Sequence, residues 1–184
     1  MSKRRLAREN CLQSLYVTDI GAYSSDSVLA GFQITDFVLE KEAFGFYKEL
    51  FSATVANLEK IDSIIRSTST NWDMDRMSST DRAILRMAVC EMMILRNAPA
   101  PVIMDEAIEL AKKYSTENSG KFVNGVLDSV AKNNNLFQVP AETYSPDRCC
   151  ADTVKSPASG AVPLKARPAK TARRKGRARG TKAE

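Results

Sequence analysis

Wherever apolar residues recur along this chain, they do so at steps of three and four. Tyr47, Leu50, Phe51, Val55, Leu58, Ile61 and Ile65 fall on one face, and their spacing predicts a single helix over residues 42–67. Ser79-Thr80-Asp81 supplies an N-cap type of residue and an acid in a first turn, and the stretch from Ala83 to Leu95 that follows is apolar nearly all round. It is expected to be the central, most buried helix. Asn97 to Pro101 ends it, and Pro101 suits the first turn of the next helix, where a missing N–H is no loss. That helix is expected to turn Ile103, Ala107, Leu110, Ala111 and Tyr114 inward. A last helix over about 119–132 carries Phe122, Val123, Val126, Leu127 and Val130, and a first one over about 2–20 has Ala7, Cys11, Leu12 and Leu15 as core candidates. Residues 26–38 read as a shorter helix with an ambiguous pattern. With no alternating run and no internal repeat, the fold class is all-α: a compact bundle of about six to seven helices.

Composition then divides the chain. Residues 1–138 suffice for one helical domain with a real core. Residues 139–184 form a basic tail rich in Ala, Pro, Lys and Arg, with too little apolar surface to offset its ordering entropy, and are read as disordered in isolation. The formal net charge of +5 hides an asymmetry: residues 141–184 hold 11 Lys+Arg against 4 Asp+Glu, while residues 9–140 hold 12 against 18. Positive charge sits at both chain ends around an acidic middle, which points to polyanion contact at chosen places.

Several classes fall away. No uncharged run exceeds nine residues, whereas a membrane-spanning helix needs roughly 18 apolar ones, so the chain is expected to be soluble, without a membrane partner. Lys3-Arg4-Arg5 is not followed by an apolar stretch, so no secretory signal is read and a cytoplasmic location is expected. Cys11, Cys90, Cys149 and Cys150 are too few and scattered for a disulfide scaffold and are expected to remain thiols. The chain has no His. The usual zinc sets and imidazole-based triads are therefore absent, and neither a catalytic residue, a metal nor a cofactor is expected. Asp73, Asp75 and Asp81 near Trp72 match no metal loop and read as helix-start acids.

The first helix is the anomaly. Lys3, Arg4, Arg5 and Arg8 place four cations where the helix dipole is already positive, an arrangement disfavoured by ~0.3–1 kcal/mol per charge. An arriving phosphate reverses the sign. Arg5 and Tyr16, eleven residues apart, share a face, so a guanidinium and an aromatic ring can meet one strand of RNA. A solvated helix start with Tyr16 as half-buried filler is the plain alternative.

The segments Arg4-Arg5-Leu6-Ala7-Arg8-Glu9-Asn10-Cys11-Leu12-Gln13-Ser14-Leu15-Tyr16, Asp81 to Met92, Asp105-Glu106-Ala107-Ile108-Glu109-Leu110-Ala111-Lys112-Lys113-Tyr114 and Lys121-Phe122-Val123-Asn124-Gly125-Val126-Leu127-Asp128 resemble the NusB family of bacterial transcription antitermination factors. These blocks span residues 3 to about 132. The tail has no counterpart in the family pattern. The resemblance implies two small helical subdomains packed side by side, no catalysis, and a role in antitermination on ribosomal RNA operons. It also implies pairing with NusE, a small-subunit ribosomal protein, binding to the boxA element of nascent RNA, and action on the RNA polymerase antitermination complex.

Carried over by position, the implied RNA surface holds Arg4, Arg5, Tyr16, Asn118 and Phe122. Arg8 belongs to the same cation cluster, and charge and proximity add Lys3 and Lys121. The family uses the position of Asp81 toward its protein partner, and Arg86 and Glu91 lie along the same helix. Leu6 stands where some relatives carry Arg, and Asn118 where some carry an acid. Phe122 has the alternative of being a pure core residue, and Gly125 is expected to permit close helix packing. Two competing readings are a possible homodimer with incidental nucleic-acid contact and the front domain of an RNA cytosine methyltransferase.

Overall fold

Ser2 is extended, and its side chain accepts a hydrogen bond from the backbone N–H of Arg5, so the first helix starts where the sequence offers a cap. In the computed structural model this helix, α1, runs Lys3–Asp19, followed by α2 (Ser25–Ile34), α3 (Lys41–Ala56), α4 (Leu58–Thr68), α5 (Ser79–Cys90), α6 (Ala100–Tyr114) and α7 (Ser119–Asn133). The structure describes residues 2–21, 23–34, 41–68 and 74–138, without the side chains of 32–34, 41 and 75. The tail, Cys149, Cys150, Trp72, Asp73 and the Asp75 side chain therefore lie outside the described residues.

Helices α1, α2 and α3 pack together, α4, α6 and α7 gather around α5, and α5 touches both groups. Among the described residues there are seven α-helices and no strand, in two helical groups, as the sequence predicts. The core runs from Ala7, Cys11, Leu12 and Leu15 of α1 through Tyr47, Leu50 and Phe51 of α3 and Ile84, Leu85 and Met87 of α5 to Leu110, Val123 and Leu127.

Four expectations need correction. The helix expected over 42–67 is two helices, broken at Asn57, whose side-chain amide donates to the Ala53 carbonyl at 2.8 Å; Thr54 likewise donates to Leu50 at 2.7 Å. Both side chains compete with the helical ladder at the bend. The central helix ends at Cys90 and passes into a π-helical turn, Glu91–Leu95, in which the Arg96 N–H reaches the Glu91 carbonyl at 2.8 Å. Tyr114, at the last position of α6, is 36% exposed rather than inward. Gly125 has nothing within 4 Å of where a Cβ would stand, so close packing does not explain it; at Gly120 a Cβ would meet Lys112 Cγ at 3.3 Å, and the tight α6–α7 approach belongs there.

Candidate nucleic-acid interface

The four N-terminal cations have four different environments. Lys3 is exposed and pairs loosely with exposed Glu42 at 3.3 Å. Arg4 is partly buried: its guanidinium lies 5.4 Å from the Phe46 ring centre and donates to the Asn97 carbonyl at 3.4 Å. Arg5 keeps part of its guanidinium in solvent, 3.8 Å from Glu109. Arg8 is 4% exposed, so its expected RNA contact is corrected. It donates twice to Glu91, at 2.9 and 2.6 Å, sits 3.7 Å from Glu106 and lies over Phe46. A charge held this way is part of the packing.

The protein-facing residues are corrected on the same ground. Glu91 is fully buried beneath Arg8. Arg86 donates to both oxygens of Asp62 at 2.8 Å and to Asp19 at 2.6 Å, and Asp19 in turn accepts from Arg82. This Asp62–Arg86–Asp19–Arg82 ladder ties α4, α5 and the end of α1 together, and Arg82 also reaches the Met74 carbonyl at 3.1 Å. Burial pushes the Asp19 carboxyl up, but hydrogen bonds from Arg82 and Arg86, and their charges, hold it below its ordinary value. Asp81 is nearly buried and accepts from Ser119 Oγ at 3.1 Å. None of these three presents a side chain outward to a large partner.

What the structure brings together is a surface running from α1 to α7. Arg5 meets Glu109, and Glu9 meets Lys113 at 2.8 Å, one turn further on in both helices. Helices α1 and α6 therefore run side by side in the same direction, which carries Tyr16, 40% exposed, toward the α6–α7 connection. Asp19, three residues beyond Tyr16, is anchored to Arg82, next to Asp81. At that end the start of α5, the start of α7 and the segment before α5 enclose a groove of about 720 Å³, to which Asn118, Lys121 and Phe122 contribute. Phe122 is half-buried: it lines the groove and also packs against the core. Sequence reasoning missed Arg76, Met77 and Ser119 in the groove wall. Only the cation Arg76, exposed at a helical turn's end, had a signal there to find.

Other chemistry is sparse. Burial pushes the Cys11 thiol well up and Cys90 to about 11, which keeps both inert as nucleophiles. No group of three metal-type ligands occurs among the described residues, and no described helix is long and apolar enough to cross a membrane.

Comparison with known proteins fits this frame. The NusB family model matches residues 5–132. The transcription antitermination protein NusB of Elusimicrobium minutum (strain Pei191) is 41% identical over 133 residues, 72% of this chain and 95% of that protein. That of Anaeromyxobacter dehalogenans (strain 2CP-1) is 42% identical over 130 residues, 71% of this chain and 91% of that one. Among solved structures, the antitermination factors NusB and NusE in complex with dsRNA give a TM-score of 0.66 at 30% identity, covering 72% of this chain and 98% of that one. The T. maritima NusB gives 0.66 at 34%, covering 74% and 97%. The matched segment runs from Arg5 in α1 through nearly all of α7, and the chain belongs to the NusB family.

Proposed function

We propose that this protein is a non-enzymatic, cytoplasmic RNA-binding adaptor in transcription antitermination. It binds the boxA element of nascent ribosomal RNA together with the ribosomal protein NusE, and the assembly modifies elongation by RNA polymerase. The observation that carries this reading is the likeness, across 72% of the chain, to a NusB solved in complex with NusE and dsRNA. The placement of Lys3, Arg5 and Tyr16 on α1, and of Asn118, Lys121 and Phe122 at the groove, supports it. Cations supply phosphate contact, and exposed rings supply stacking. Arg4 serves the strand through its partly open edge, and Arg8 only through the position of α1.

Fluorescence anisotropy with a boxA strand and a scrambled control, each with and without NusE, tests the proposal. Cooperative tightening on the true element alone is expected; equal binding of both strands removes the boxA assignment. Arg5→Ala is expected to weaken RNA binding several-fold while shifting stability by no more than ~0.5 kcal/mol, because its ion pair is long and partly exposed. A large melting shift with unaltered RNA affinity assigns Arg5 to structure instead. Deleting residues 139–184 removes 11 Lys and Arg residues. It is expected to flatten the salt dependence of binding and spare the preference for boxA over the scrambled strand. Loss of that preference, measured across a salt series, shows that the tail reads sequence.

A further inference from the structure

Among the described residues three ion pairs join α1 to α6, and they are not alike. Arg8 faces Glu106 at 3.7 Å and Glu9 accepts from Lys113 at 2.8 Å, and in both pairs the α1 side chain is buried, 5% and 8% exposed. The third pair lies open. Arg5 and Glu109 have side chains 27% and 47% exposed, and their separation of 3.8 Å is beyond hydrogen-bond reach. An exposed pair at that distance contributes little to the fold.

What holds Glu109 is a second cation. Its Oε1 accepts from Lys112 at 2.7 Å while Oε2 is the oxygen nearest Arg5, so one carboxylate divides its two oxygens between two partly open cations. A phosphate set between an Arg and a Lys does the same. The Lys112 stem lies over Gly120 of α7, where an added Cβ would meet its Cγ at 3.3 Å. The hydrogen bond and charge of Lys112, with the charge of Arg5, hold the Glu109 carboxyl below its ordinary value, so it is ionised at neutral pH. A strand reaching Arg5 therefore meets an anion already in place. Phosphate displaces it because the Arg5 pair is long and wet, but Glu109 stays on α6 and repels the strand.

Resting on the RNA-binding reading above, we propose that Glu109 is a built-in competitor of RNA phosphate: in the free protein it takes the phosphate's place between Arg5 and Lys112, and it lowers affinity for every strand alike. Lys112 thereby joins Arg5 as a phosphate-binding residue. The competition carries no base preference, since phosphate contacts hold no sequence information. It pushes strands held by phosphate alone toward release and leaves the ratio between sequences untouched.

Anisotropy of the full chain with a boxA strand and a scrambled strand of equal length, over a salt series, tests this. Glu109→Gln keeps the shape and removes the charge. It is expected to tighten both strands about fivefold, to leave their ratio within about twofold, and to steepen the salt slope by about 0.7, the increment of one added single-strand phosphate contact. Lys112→Ala is expected to weaken both strands alike. Glu59→Gln, which removes an exposed acid on α4, is expected to shift both affinities by less than about twofold. Unchanged affinity in Glu109→Gln overturns the competition, and lowered affinity assigns Glu109 to positioning Arg5 instead. Equal tightening by Glu59→Gln reduces the effect to net charge and overturns it too, while unchanged affinity in Lys112→Ala removes Lys112 from the site. Absence of binding to either strand by the unmodified protein overturns the RNA reading itself.

Discussion

Glu91→Ala is expected to destabilise the fold by about 3–5 kcal/mol, because it leaves Arg8 buried with its main counter-charge removed. Arg8 reaches Glu91 with two hydrogen bonds, and the side chains are 5% and 1% exposed, so water cannot replace the lost partner. Glu106, at 3.7 Å and partly exposed, compensates weakly. In a domain of this size such a loss lowers the melting temperature by roughly 10–20 °C. Urea denaturation of the variant checks it, and a loss below ~1 kcal/mol shows that Arg8 swings out to solvent when released. The paired change Arg8→Met with Glu91→Leu is expected to recover most of the stability, since apolar residues of similar volume often replace a buried ion pair without loss. If the double variant melts normally yet binds RNA as weakly as Arg5→Ala, the ion pair positions α1 for the strand.

The helices were legible because burial in a bundle imprints a step of three and four: Ala7, Cys11, Leu12 and Leu15 of α1 and Val123, Val126, Leu127 and Val130 of α7 are buried as expected, while Phe122 is only partly so. The break at Asn57 was not, because neither Pro nor Gly marks it and the apolar face continues across it. The fate of Arg8 was available and went unread. Arg8, Cys11, Leu12 and Leu15 stand at i, i+3, i+4 and i+7, so Arg8 belongs to the stripe that faces the core. Glu91 is the lone acid in a run apolar nearly all round, and a buried acid demands a buried base. Charge clustering favoured one role for all four cations, whereas the helical period divides them. The groove was beyond reach, because its wall joins positions from 68 to 129 and only the tertiary arrangement makes them neighbours. The Asp19–Arg82–Arg86–Asp62 ladder was hidden for the same reason.

That ladder sets the second large effect. Arg86→Ala removes three of its charge-assisted hydrogen bonds at once and leaves Asp62 and Asp19, each under 15% exposed in its side chain, facing each other's charge. A cost of about 2–4 kcal/mol at pH 7 is expected, below that of Glu91→Ala because the ladder lies nearer to solvent and Arg82 still holds Asp19. The effect has a pH signature. Asp19 has a lowered folded pKa, so its contribution is fully present above its unfolded value of about 3.9 and is lost as pH falls through the folded value. Without Arg86 the carboxyl moves back up toward its ordinary value, and the variant has less left to lose on acidification. Urea midpoints measured from pH 7 down to pH 2.5 are therefore expected to converge for the two proteins below about pH 4. A gap that stays constant over that range shows that Arg86 stabilises the fold by packing alone. In that case the end of α1, and Tyr16 with it, is not held to α5 by charge.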